Sequence, residues 1–254
     1  MTIQLCDALE LDPDTFDTSV DWPSFRRARR SSKLSSRKRF ITKWISGNTA
    51  TGRVMLNRQQ RVYSNCPLCQ EDDDEHLVHV LTCPHHDSLT LRTTLMDALK
   101  ARLIKEHTHP DVTAFLFNGL TSWFNADPYS DEILLQCADP NTRPTLSDQL
   151  DLGWFVTLSG FLHTNLIEVQ HCYYLVIRRH KTGHKWASNL IKHFWNIIHS
   201  LWVYHCSVLH NSDAMHHLQP PPSFKMPSKQ NTTKASGTCL TRIDPTFTPP
   251  SRSF

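Results

Sequence analysis

Three of the eight cysteines in this 254-residue chain cluster with histidines inside NCPLCQEDDDEHLVHVLTCPHH, and their spacing points to metal ligation. Cys66-Pro67-Leu68-Cys69 forms a C-x2-C knuckle, whose two-residue gap lets both sulfurs face one ion. His79 and Cys83 stand four apart in a stretch that reads as helix, so both are expected on one helical face. The pattern C-x2-C-x9-H-x3-C thus offers four donors, Cys66, Cys69, His79 and Cys83, suited to tetrahedral zinc. Four protein donors leave no open position for a reacting water, so one structural zinc ion is expected, contributing on the order of 10 kcal/mol to folding. His76 could replace His79, and His85 or His86 could replace Cys83. Asp73, Asp74 and Glu75 fall where the helix should begin and are expected to favour its N-terminus.

The other chemistry is electrostatic. A net charge of +3, from 27 Lys+Arg against 24 Asp+Glu, hides strong segregation. Residues 22–70 hold twelve of those 27 bases and no acid, whereas residues 1–21 hold six acids and no base. A tract of this density can neutralise phosphates and release counterions, so RNA or DNA, single-stranded or structured, is the expected partner, with weak sequence preference. Arg37, Lys38, Arg39, Lys43, Arg53, Arg58 and Arg61 are the candidate nucleic-acid-binding residues. Trp44 could stack on bases, but its spacing with Ile41 and Ile45 is that of a core residue. The run Arg26 to Arg39 equally suits a nuclear-import signal.

Several classes are disfavoured. Only 7 Gly against 15 Pro leave little material for phosphate-binding Gly-rich loops. No apolar run reaches the length of a membrane span. The acidic start is the reverse of a secretory signal, so an intracellular setting with reduced thiols is expected. No nucleophile elbow or paired-carboxylate arrangement accompanies the many histidines, so no enzymatic activity is expected. A second metal site from His205, His210, His216 and His217 would follow no ligand spacing of a known kind.

The elements that must position these residues read as mostly α. Residues 1–37 are expected to be an acidic, then basic, disordered lead, and 38–104 a zinc-stapled helical module ending in a helix over 88–104. Residues 105–146, interrupted by Pro110, Pro128, Pro140 and Pro144, are expected to form an irregular connector with short helices. Two apolar helical patterns over 147–211, around Gly183, predict an antiparallel hairpin whose aromatic wealth offers a surface for a protein partner. The Pro/Ser/Thr-rich residues 212–254 are expected to be a disordered tail.

KWISGNTATGRVMLNRQQRVYSNCPLCQEDDDEHLVHVLTCP resembles the zinc-binding domain found toward the C-terminus of reverse transcriptases of non-LTR retrotransposons and related elements. The resemblance rests on Trp44, Cys66, Pro67, Cys69, Glu75, His79 and Cys83, in order, and covers about residues 38–104. The later KWASNLIKHFWNIIHSLWVYHCSVLHN is similar to the helical region following that zinc box, but has His205-Cys206 where an Arg-Asn pair is expected. The chain lacks the Tyr-x-Asp-Asp turn of a polymerase and a spread of carboxylates suited to a two-metal nuclease. The resemblance therefore implies a retroelement-derived, non-catalytic fragment or descendant. Its alternative is a zinc-stabilised interaction scaffold whose basic run only directs import.

Overall fold

The computed structural model describes residues 12–31, 35–69, 74–126 and 131–216. The fold is mostly α: among the described residues no strand forms, and two isolated bridges, Val20 with His163 and Asn65 with Asp74, are the β-type pairings. The helices run α1 Pro13–Ser19, α2 Trp22–Ser31, α3 Ser35–Ile45, α4 Gly52–Asn57, α5 Leu77–Thr82 and α6 His86–Lys105. They continue with α7 Pro110–Phe124, α8 Asp131–Gln136, α9 Arg143–Asp151, α10 Trp154–Ser159, α11 Thr164–Val176 and α12 Gly183–His216. At 34 residues α12 is about 50 Å long and acts as the spine. It packs on α2 and α11 most extensively, and also on α10, α6, α5 and α3.

The expected disordered lead is instead helical from Pro13 to Ser31; residues 1–11 lie outside the described set. Asp12 accepts a hydrogen bond from the Thr15 amide and Pro13 occupies the first helical turn, so α1 is capped in the standard way. In α2, Ser24, Phe25 and Ala28 are buried while Arg26, Arg27, Arg29 and Arg30 are exposed. Phe25 stacks on Phe161 at 4.9 Å and meets Trp195 edge-on at 5.5 Å, and Phe16 and Trp22 also pack against Phe161. Three aromatic rings therefore fasten a stretch whose charge alone suggests a solvated arm.

The expected connector is also largely ordered helix. Pro110 and Pro144 lie in the first turns of α7 and α9, where the missing N–H is no loss, so they start helices rather than break them. Val112, Phe115, Leu116, Leu120 and Phe124 of α7 are buried in the core. The hairpin is α11 with α12; its expected first arm is interrupted at Gly153 and Gly160, both at positive φ. Helix α12 continues past residue 211 to His216, and residues 217–254 lie outside the described set.

One apolar cluster links these helices other than α4. It includes Ile41, Trp44 and Ile45 of α3, Leu81 of α5, Met96, Leu99 and Leu103 of α6, and Trp186, Phe194 and Trp195 of α12. Trp44 is 1% exposed, which settles it as core. Trp154, Phe161, Tyr174, Trp186, Phe194 and Trp195 are likewise buried, so the hairpin's aromatics mostly face inward. No helix among the described residues is long and apolar enough to cross a membrane.

Candidate metal centre

The strand-like approach to the knuckle is held by backbone pairing across the loop: the Glu75 amide donates to the Ser64 carbonyl at 2.8 Å, and Asn65 bridges Asp74. This brings the beginning of the Cys66–Cys69 turn beside the residues that lead into α5. Helix α5 is short, Leu77 to Thr82, and carries His79 on its buried side. Cys83 is the residue that ends it, with ψ 125, and Pro84 follows, which cannot continue the hydrogen-bond ladder. The expected helix over both donors is thus shorter by its last residue, yet the two donors still converge.

One donor atom from each of Cys66, Cys69, His79 and Cys83 lies within 4.8 Å of the others. The Cys66 and Cys83 sulfurs are 3.9 Å apart, and Cys69 Sγ is 3.4 Å from His79 Nε2. A tetrahedral ion with metal–sulfur bonds of about 2.3 Å and metal–nitrogen bonds of about 2.0 Å requires edges of about 3.8 Å between sulfurs and about 3.6 Å between sulfur and nitrogen. The four residues therefore fit a metal ion. Cys66, His79 and Cys83 are buried and Cys69 is half-buried, which shields the group from solvent. Hydrogen bonding from Cys66 holds the Cys83 thiol well below its usual pKa, with further help from His79, while the same contact and burial push Cys66 up.

Of the alternative histidines, His76 has another role. His76 is exposed and caps α5, its Nδ1 accepting from the His79 amide at 2.9 Å. His85 precedes α6 and His86 is its exposed first residue. The described acids do not cap α5 as expected. Asp73 lies outside the described residues, and Asp74 accepts from the Ser64 hydroxyl. Glu75 turns inward, fully buried, because the helix begins two residues later. Its Oε1 accepts from the Gly52 amide at 2.9 Å, and its Oε2 accepts from Arg61 Nη1 at 3.2 Å. Arg61 also donates to the Asn65 carbonyl, next to Cys66. A side chain at Gly52 would run into the Ser64 carbonyl, so glycine is required there.

Two supports escaped the sequence reading. Arg92 of α6 is 3% exposed, and its Nη1 donates to the carbonyls of Leu81 at 3.0 Å and Cys83 at 2.8 Å. It thereby satisfies the open end of α5 and fixes the Cys83 backbone. Burial lowers its pKa and the Cys83 thiolate opposes that shift. The available signal was its place on the buried stripe Ser88, Arg92, Met96, Leu99, Leu103. The second support is His205 of α12, 1% exposed, whose Nε2 lies 3.2 Å from Glu75 Oε1 without hydrogen-bond alignment. Cys66, Glu75 and His205 also bring donor atoms within 4.8 Å of each other. Neighbouring Cys206 has a pKa pushed up to about 11, by burial first and then by Glu75, and stays a neutral thiol. Of the histidines considered for a second metal site, the side chains of His210, His216 and His217 lie outside the described residues.

The candidate nucleic-acid residues are scattered in role. Arg37 donates to Asn196 Oδ1 at 2.6 Å, Arg53 pairs with Asp74 at 3.4 Å, Arg58 donates to Asn48 Oδ1 at 3.3 Å, and Arg61 is committed to Glu75. Lys38 is half-buried, and Arg39 and Lys43 are exposed. Tyr63, 47% exposed, carries the Arg61 guanidinium 4.0 Å above its ring. No protein-family model, curated protein or solved structure matches this chain.

Proposed function

We propose that the chain is a retroelement-derived, non-catalytic zinc-binding protein that holds one structural zinc at Cys66, Cys69, His79 and Cys83 and binds the RNA or DNA backbone through its basic stretch. The observation that carries this reading is the convergence of three thiols and one imidazole at tetrahedral spacing, at and just beyond the end of residues 22–70, which hold twelve bases and no acid. Three sulfurs and one imidazole nitrogen favour zinc over harder cations such as magnesium or calcium. Zinc in this position staples the knuckle to α5, and the basic residues around it contact phosphates without reading bases. An intracellular setting belongs to the same reading, since free thiols such as exposed Cys137 and Cys172 persist under reducing conditions.

The test begins with elemental analysis of protein purified without a His tag. About one zinc per chain is expected, lost in Cys66→Ser and in His79→Ala. RNA and DNA binding of the zinc-loaded protein should weaken steeply with salt, and further when Lys38, Arg39 and Lys43 are changed together to glutamine. Zinc-free protein with its native fold removes the metal reading. Salt-independent binding, or none, removes the nucleic-acid reading.

A further inference from the structure

Eight of the twelve bases of the basic stretch form two groups that the folded chain treats differently. Arg37, Arg53, Arg58 and Arg61 each have an internal hydrogen-bond or ion-pair partner. Arg26, Arg27, Arg29 and Arg30 of α2 are exposed and have no ion pair or hydrogen bond among the described residues. Pro23, Arg26, Arg27 and Arg30 follow i, i+3, i+4, i+7 spacing, and with Ser31 they line one shallow surface groove.

The opposite side of α2 lies on α12, whose neighbouring turns add Lys185, exposed, and Lys192, half-buried. Lys192 is held below the usual lysine value by burial first, then by Lys185, with Arg27 and Arg102 acting in the same direction and Glu106 against it. The arginine groove of α2 and the lysines of α12 thus belong to two helices packed on each other. Glu106 is already engaged by Arg102 at 3.2 Å, and Asp21, at the head of α2, lies 3.2 Å from His184. Such like-charge crowding costs stability unless an anion relieves it.

From this placement we infer that the α2–α12 face, through Arg26, Arg27, Arg30, Lys185 and Lys192, is the surface that binds a nucleic-acid duplex by its phosphate backbone. The inference rests on the nucleic-acid reading above and moves its main contact from the zinc module to the helical body. A folded α2 holds its arginines at fixed positions, whereas recognition as an extended import peptide would require pulling Phe25 and Ala28 out of the core. Phe25 is buried and Trp22 half-buried against the core, so among the described residues α2 presents no fully exposed aromatic on which to stack unpaired bases. A double helix, with about one negative charge per 1.7 Å of axis, offers the denser phosphate array.

Zinc-loaded full-length protein should be titrated by fluorescence anisotropy against a short RNA duplex and a single strand of the same length, over a series of salt concentrations. Expected are tighter binding of the duplex and little change on scrambling its sequence. The combined Arg26→Gln, Arg27→Gln, Arg30→Gln variant should lower the slope of log affinity on log salt by about three and weaken binding at least about tenfold. The corresponding Arg→Lys variant should keep the slope. These residues are exposed, and unchanged zinc content and circular dichroism will verify that the variants fold. An unchanged slope in the Gln variant of a binding-competent protein overturns this surface and leaves the proposed function standing. Failure of the wild type to bind any nucleic acid, or binding confined to anionic phosphatidylserine vesicles, overturns both.

Discussion

The metal module and the helical body are held together by different forces. Around the donors the separate apolar cluster is only Cys66, Leu68 and Cys83, with Cys69 and Val208 against it. What positions the donors is polar: the Glu75 carboxylate on Gly52 and Arg61, and Arg92 on the end of α5. The body instead buries a continuous set of aliphatic and aromatic side chains from α1 to α12, which reaches the module at Leu81 of α5. A region with so little apolar surface to bury does not fold by hydrophobic burial alone, and under the proposed reading ligand–metal bonds replace the missing core. The body needs no such staple.

The strongest way to break this contrast is to remove the metal. A chelator, or Cys83→Ser, should forfeit stabilisation on the order of 10 kcal/mol in the module and leave the body folded. Hydrogen exchange will read it directly, with amides of 64–83 exposed and those of α11 and α12 still protected. Loss of protection throughout α12 would show that the two regions fold as one unit. The next largest effect lies in the buried pair. Glu75→Ala strands Arg61 and the Gly52 amide, and should cost about 3 to 5 kcal/mol, read as a fall in denaturation midpoint at fixed zinc.

In the body, backbone and packing carry the effects. Gly160, at φ +100, has Ile191 Cγ2 at 2.8 Å and Trp195 Nε1 at 2.9 Å from where a Cβ would stand. Gly160→Ala should therefore cost about 3 kcal/mol, combining left-handed strain with overpacking. Gly47, at φ +67, faces open space, so the same substitution there should cost only about 1 kcal/mol. Equal losses in thermal unfolding would mean that packing around Gly160 yields.

Tyr174 tests the same core by pH. Its hydroxyl donates to the Glu106 carbonyl at 2.7 Å, and burial first, with Glu106, raises its pKa to about 12. The folded state favours the protonated phenol, so this stabilisation is complete below about pH 10 and is lost as pH rises toward about 12. The loss should approach about 2 kcal/mol and be absent in Tyr174→Phe, seen by comparing alkaline denaturation curves.

The donor set was legible because ligand spacing is local: C-x2-C and H-x3-C each close within one turn. The supports were not, because they depend on contacts between distant segments. Glu75 was read as a helix-capping acid, but α5 starts at Leu77 and leaves it free to turn toward Gly52. The lead was read from its charge, although Phe16, Trp22 and Phe25 follow a spacing that buries them on Phe161. Proline was counted as a breaker at 110 and 144, where it occupies helix starts. In each case composition was outweighed by position within the element.

The smallest predicted effect isolates burial within the module itself. Arg53–Asp74 and Arg61–Glu75 join the same two stretches at similar separations, 3.4 Å and 3.2 Å. Their surroundings differ: the Arg53 and Asp74 side chains are 59% and 45% exposed, those of Arg61 and Glu75 13% and 0%. Water screens the first pair and supplies replacement hydrogen bonds when one partner is lost, whereas it reaches the second hardly at all. Arg53→Gln should thus change stability by no more than about 0.5 kcal/mol, and less at high salt, while Arg61→Gln should behave like Glu75→Ala. A large, salt-insensitive loss in Arg53→Gln would mean that the outer pair also holds the loop closed over the metal donors.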